Sequence, residues 1–240
     1  MTAREWNPGE LLEISGFFWK TCLLHTAVKM DVFTVIGDGE LTAVDIAGKV
    51  GGAARGVVRL LDALVAMELL VKQNKTYANS ASGRELLAKD SPRYLGHIIM
   101  HHHHLLEAWS KLDQALISDQ PQRDRSSYSQ EEWRESFLMG MFNLAMGLAP
   151  KIVPVIDVSG RQHLLDLGGG PGTYAIHLNN SMDGPLFPAL FSLNMLLGTE
   201  SGQSYSEAQI TDMLAGAGAS DIRRIPIESP NHSGILVGFV

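Results

Sequence analysis

The chain opens with a long apolar pattern. In PGELLEISGFFWKTCLLHTAVKMDVFTVI (8–36), Leu11, Ile14, Phe17, Phe18, Cys22, Leu23 and Ala27 recur at helical spacing. Apolar residues cover much of that helix's circumference, more than a surface helix carries. Such a helix is expected to be buried, within its own domain or against a partner chain. IGDGE (36–40) then signals a turn.

The next stretch, 41–87, has a shorter rhythm. Thr42 is placed to cap a helix holding Ile46 and Ala47. Gly51-Gly52 makes a turn, and a second amphipathic helix carries Val57, Val58, Leu60, Leu61, Leu64 and Val65. LLVKQNKTYANS reads as two short strands about Asn74-Lys75. Helix, turn, helix and β-wing is a winged-helix pattern. Residues 91–150 read as helical, broken by a polar loop at 119–130, and Pro150 and Pro154 punctuate the way onward. RQHLLDLGGGPGTYAIHL (161–178) predicts a strand, a glycine loop and a helix. A helix follows over 184–199, and another over 202–219 with a cap at Ser204 or Ser206. Two strands around Ser229-Pro230-Asn231 close the chain as a hairpin.

Composition narrows the classes. The 240 residues suit one large domain or two small ones, and 45% hydrophobic content suits a soluble globular protein. A net charge of −7 argues against a nucleic-acid binder held by its overall field. The longest apolar runs read as too short to span a bilayer, and the N-terminus, with Glu5, Glu10 and Glu13, lacks a signal's basic region. A cytoplasmic protein with no membrane partner is expected. Cys22 is the single cysteine and is expected to be a buried hydrophobic thiol.

The chemistry centres on the glycine loop. Asp166, Gly168, Gly170 and Gly172 fit D-x-G-x-G-x-G at the end of an apolar strand. Glycines permit the tight turn and a ligand's close approach. Pro171 suits the first turn of a helix, and Asp166 could accept hydrogen bonds from a ligand. These residues, with LTAVDIAGKVGG, RLLDALVAMELL and YANSASGRELL upstream and GPLFPALFSLNMLLGT and SYSEAQITDMLAGAGASDIRRIPI downstream, carry a resemblance. The chain resembles class I S-adenosylmethionine-dependent O-methyltransferases of the acetylserotonin and hydroxyneurosporene type.

The resemblance implies a mainly α chain: a winged-helix dimerisation domain (1–90), a helical linker and substrate-pocket region (91–155) and a Rossmann-like α/β methyltransferase domain (156–240). It implies an intertwined homodimer, S-adenosylmethionine on Asp166, Gly168, Gly170 and Gly172, and a small aromatic or polyketide-like hydroxyl substrate. In-line attack of the deprotonated hydroxyl on the sulfonium methyl would be aided by positioning and a base. The α/β domain is truncated, however. Where the family has four further strands, an acidic ribose ligand and a histidine base, this chain has only about NNSMDG (179–184). His177 and His232 do not occupy the catalytic position, so no catalytic residue is assigned. The family's strand order is 3-2-1-4-5-7-6. Loss of strands 2 to 5 would leave strand 1 and the hairpin separated by two empty slots, roughly 14 Å at strand spacing, and a longer parent would carry about ninety further residues after Asn180. Cofactor binding is accordingly expected to be weakened or lost.

Other groups were weighed beside the loop. His97, His101 and His104 fall on one helix face, but no acidic residue except Glu107 is near, so no metal site is expected. His103 and His104 are substrate-pocket candidates instead, with Phe142, Asn143 and Met146 before the glycine loop and Asn194 and Met195 after it. The second winged-helix helix offers only Arg55 and Arg59 near its start, too few polar side chains for base reading, so no nucleic-acid partner is expected. Three readings stay open: a methyltransferase, a non-catalytic dimeric scaffold or small-molecule binder, and a winged-helix regulator.

Overall fold

The expected first helix breaks in two. In the computed structural model, which describes residues 4–123, 130–156, 159, 160, 162, 163, 175–225 and 233–240, helix α1 spans Pro8–Lys29. Asn7 caps it, and Glu10 reaches back to complete a capping box. Asp31 then takes a left-handed conformation (φ 61°), which ends the helical path and starts the short α2, Val32–Ile36. Thr34 and Lys89 both bond Asp31's carboxylate and fix this corner.

The following elements come in the predicted order. Strand β1 (Glu40–Thr42) leads into α3 (Ala43–Val50), capped by Thr42, whose hydroxyl accepts from the Asp45 amide. Gly51 ends α3 at φ 67°, a conformation glycine adopts without strain. Helix α4 (Ala54–Ala66) and strands β2 (Leu70–Gln73) and β3 (Thr76–Asn79) follow. The β2–β3 hairpin turns at Asn74, and β3 lies in the middle of an antiparallel sheet of order β1-β3-β2. Helix α5 (Ala81–Leu87) is capped by Ser80. Asn79 Nδ2 donates to the backbone carbonyls of Phe33 and Gly37 and so ties β3 to the end of α2. Phe33, Ile46, Leu61, Leu64 and Leu70 are fully buried and form the centre of this unit's core.

Helix α6 (Gly96–Trp109) crosses from one compact unit, Met1–His103, into the second, His104–Val240. In the second unit, α7 (Leu112–Ser118) is followed by α8 (Glu131–Ile152), which runs into a 3-10 turn over Val153–Val155. Pro150 was expected to mark a boundary. It lies inside α8 instead, in the last turn before the 3-10 segment. The span Glu131–Val155 is long and apolar enough to cross a membrane by length and composition. This corrects the expectation that no apolar segment reaches that length. The individual runs are short, and Gly140, Asn143 and Gly147 interrupt them without breaking the helix.

The larger correction concerns residues 175–178. They were expected to lie on the helix after the glycine loop, yet they form strand β4 (Ala175–Leu178). It pairs antiparallel with β7 (Ser233–Phe239) and parallel with β5 (Tyr205–Ser206). With β6 (Ser220–Ile225) the sheet order is β5-β4-β7-β6. The terminal hairpin, expected to stand two slots from any neighbour, therefore has one directly beside it. Pairing decided the outcome: four residues are too few to set a helical period, while a hairpin edge supplies bonded partners. Helix α9 (Leu186–Gly198) and α10 (Glu207–Gly216) complete the unit, α10 with a capping box at Ser206.

Candidate functional site

Asp166, Gly168, Gly170 and Gly172 lie outside the described residues. The described chain resumes just after them, and what it shows is the exit from the loop. β4 ends in a tight turn over 179–184. Asn179 N donates to Gly184 O at 2.7 Å, and Asp183 N donates to Asn179 Oδ1 at 3.1 Å. Asp183 accepts from Ser181 Oγ at 2.6 Å and Asn179 Nδ2 at 2.7 Å. Those bonds hold the Asp183 carboxyl below its usual range. NNSMDG is thus an ordered connection from β4 to α9. His177 is on β4 and not on a helix.

The remaining candidates separate into different surroundings. His103, in the first unit, faces α1: its Nε2 is 3.4 Å from Lys29 Nζ, and its ring meets His25 edge-on at 5.6 Å. His104, in the second unit, stacks flat on Trp133 of α8, with centroids 4.5 Å apart. Asn194 accepts from Trp109 Nε1 at 3.3 Å, which ties α9 to the end of α6. Met195 is half-buried on the same helix. Phe142 and Met146, one turn apart on α8, are exposed, and Asn143 beside them is half-buried. The structure brings Asn194 and Trp109 together and leaves Phe142 and Met146 open. Among the described residues no group of three or more His, Cys, Asp or Glu could hold a metal ion.

Three side chains escaped the sequence reading: His25, Lys29 and Trp133. His25 and Lys29 lie one turn apart on α1, His25 buried and Lys29 exposed, a difference the sequence pattern does not mark. Cys22 was also misplaced. It is exposed, on the same side of α1 as Phe18, where the single chain provides nothing to cover it.

A family comparison decides what the first unit is. Residues 12–89 match the model for this fold's dimerisation module. The model is that of the O-methyltransferase dimerisation domain. The match spans α1 through α5, the part with the continuous core. Similarity extends beyond this dimerisation domain. The 3-hydroxy-5-methyl-1-naphthoate 3-O-methyltransferase of Streptomyces sahachiroi is 22% identical over 328 positions, covering 96% of this chain and 95% of the relative. Since 96% of 240 residues is about 230, about a hundred of those 328 positions face no residue here. Acetylserotonin O-methyltransferase of Gallus gallus is 27% identical over 70% of this chain and 54% of its own length. Against that relative, and against the tetracenomycin 8-O-methyl transferase of Streptomyces glaucescens, the chain spans about half the length. Among solved structures, human N-acetylserotonin methyltransferase in complex with SAM superposes with a TM-score of 0.81 at 17% identity, covering 100% of this chain and 99% of that one. The chain therefore shares its fold with solved O-methyltransferases, and residues 12–89 are similar to the O-methyltransferase dimerisation domain.

Proposed function

We propose that the chain belongs to a lineage of S-adenosylmethionine-dependent O-methyltransferases acting on the hydroxyl of a small aromatic or polyketide-like molecule. It works as a cytoplasmic homodimer joined through α1, with a winged-helix arrangement of α3, α4 and the β2–β3 hairpin in each protomer. The observation that carries this reading is the alignment with the Streptomyces sahachiroi enzyme, which uses nearly all of both chains. The apolar α4, with Arg55 and Arg59 its only bases, favours dimerisation over nucleic-acid reading.

The sheet order supports a different position for the missing stretch. In the strand order 5-7-6 of the family's sheet edge, strand 5 lies beside strand 7. Here β4 lies beside β7 and β7 beside β6, so β4 takes the place of strand 5. The turn at 179–184 then continues directly into α9. This reading puts the missing positions before Ala175 and not after Asn180, together with the strands that bear the ribose ligand and the base in the family.

The residues that the resemblance assigns to the cofactor, Asp166, Gly168, Gly170 and Gly172, lie outside the described residues, and the described ones offer little of a crevice for it. In an open α/β sheet a nucleotide sits in the crevice beyond the carboxyl ends of adjacent parallel strands. The one parallel pair described, β4 with β5, is two residues long, and its carboxyl end is closed by the Asn179–Asp183 turn. No transfer step is assigned to this chain. Calorimetric titration is expected to show no micromolar binding of S-adenosylmethionine; a micromolar constant would overturn this. Sequencing the parent gene tests the relocation. It should show any longer form to have its extra residues ahead of Ala175, and extra residues after Asn180 would refute it.

A further inference from the structure

Three basic side chains meet where α1 crosses α6 inside the first unit. Lys29 Nζ is 3.4 Å from His103 Nε2. His25 stands edge-on to His103 at 5.6 Å, is only 4% exposed, and its Nδ1 has no hydrogen-bond partner. A buried polar atom without a partner is costly, and such atoms in folded proteins commonly mark a place where something binds. Among the described residues Lys29 has no carboxylate partner, and the nearest acids in sequence are engaged elsewhere: Asp31 pairs with Lys89 and Glu107 with Lys111. An ammonium has three donors, of which His103 takes one. One turn before His103 on α6, Ile99 and Met100 pack at the margin of the core.

We propose that Lys29, His103 and His25 form a binding site for a carboxylate borne on a small apolar or aromatic body. Lys29 supplies the charge and its two remaining donors. His25, in the tautomer protonated at Nδ1, donates from the buried side. His103 orients the ammonium by accepting one of its hydrogens, and Ile99 with Met100 takes the apolar body. The site stands whether or not the chain transfers a methyl group.

Benzoate and its neutral counterpart benzamide separate charge from shape. Each is titrated into the full chain while the ring proton resonances of His25 and His103 are followed by NMR, assigned with His25→Gln and His103→Gln. Benzoate should shift both rings in a saturable way, and benzamide should leave them in place. Lys29→Met should weaken benzoate about fivefold or more. Lys29→Arg, which keeps the charge, should stay within about twofold. Lys29 is exposed, so both variants should retain the wild-type unfolding transition. Equal responses to benzoate and benzamide, no response to either, or a Lys29→Met chain that binds benzoate like the wild type would each overturn the proposal.

Discussion

At the scale of single residues, the informative side chains are the ones whose surroundings contradict their chemistry. Burial is the first cause that pushes the His25 imidazole down from 6.5 to about 4, and the charges of His103 and His102 push the same way. The sign follows from proton binding. Between those two values the unfolded chain holds a proton on His25 that the folded chain does not. Folding stability from this residue is therefore complete above about pH 6.5 and declines as pH falls toward about 4. The loss across that window should be on the order of 2 kcal/mol. His25→Leu, which keeps the volume and removes the titration, should flatten the stability profile over that range. Denaturant midpoints measured at intervals between pH 7 and pH 4 on both chains check it, and equal slopes would remove His25 as the cause. None of this was legible beforehand. A histidine in an apolar helix has no pattern that tells which side it faces. The row His101–His104 drew attention because it is repetitive, yet only His103 meets His25.

At the scale of elements, α1 shows what the pattern could and could not say. Its length and its excess of apolar residues were legible, and so was the alternative between burial and a partner. The structure divides the helix. His25, Ala27 and Val28 are buried in the core, whereas Leu12 is 72% exposed and Trp19 70%. Leu11, Ile14, Phe17 and Phe18 are exposed as well. About half of a helix some 33 Å long, at 1.5 Å per residue, is thus an apolar arm without cover. Within a dimerisation domain its natural cover is a second protomer. The double variant Phe18→Glu/Trp19→Glu should shift the chain from dimer to monomer in light scattering at micromolar concentration, with the α3–α4 core intact by far-UV dichroism. A variant that remains dimeric would exclude the arm from the interface. β4 is the opposite case. TYAIHL follows a glycine loop that ordinarily opens a helix, and nothing local marks it as a strand. Its state is set by β7, more than fifty residues later, and a long-range pairing leaves no period to read.

At the scale of the molecule, the two units differ in how much apolar surface they enclose. The first has a continuous core from Ala27 to Ala88, including Phe33, Ile46, Leu61 and Leu64 at complete burial. In the second, the cluster described is Ala108, Ala115 and Leu197. Leu138, Met139, Phe142 and Met146 stay exposed along α8, and almost none of the long span they belong to is buried. The proposed loss of sheet from an α/β domain would have this consequence: the helices that cover the sheet keep their apolar faces and lose their partner. Since burial is the main favourable term, the second unit should open at lower free energy than the first. Trypsin can compare the two directly. Arg134 and Lys151 on α8 and Arg55 and Arg59 on α4 are all exposed and all helical, so cleavage order reports local opening and not side-chain access. Mass spectrometry of a timed digest should show cuts at Arg134 and Lys151 well before any at Arg55 or Arg59, leaving an N-terminal fragment that holds the dimerisation domain. Cleavage of α4 at the same rate as α8 would mean that the two units open together and that the smaller described core of the second does not set its opening.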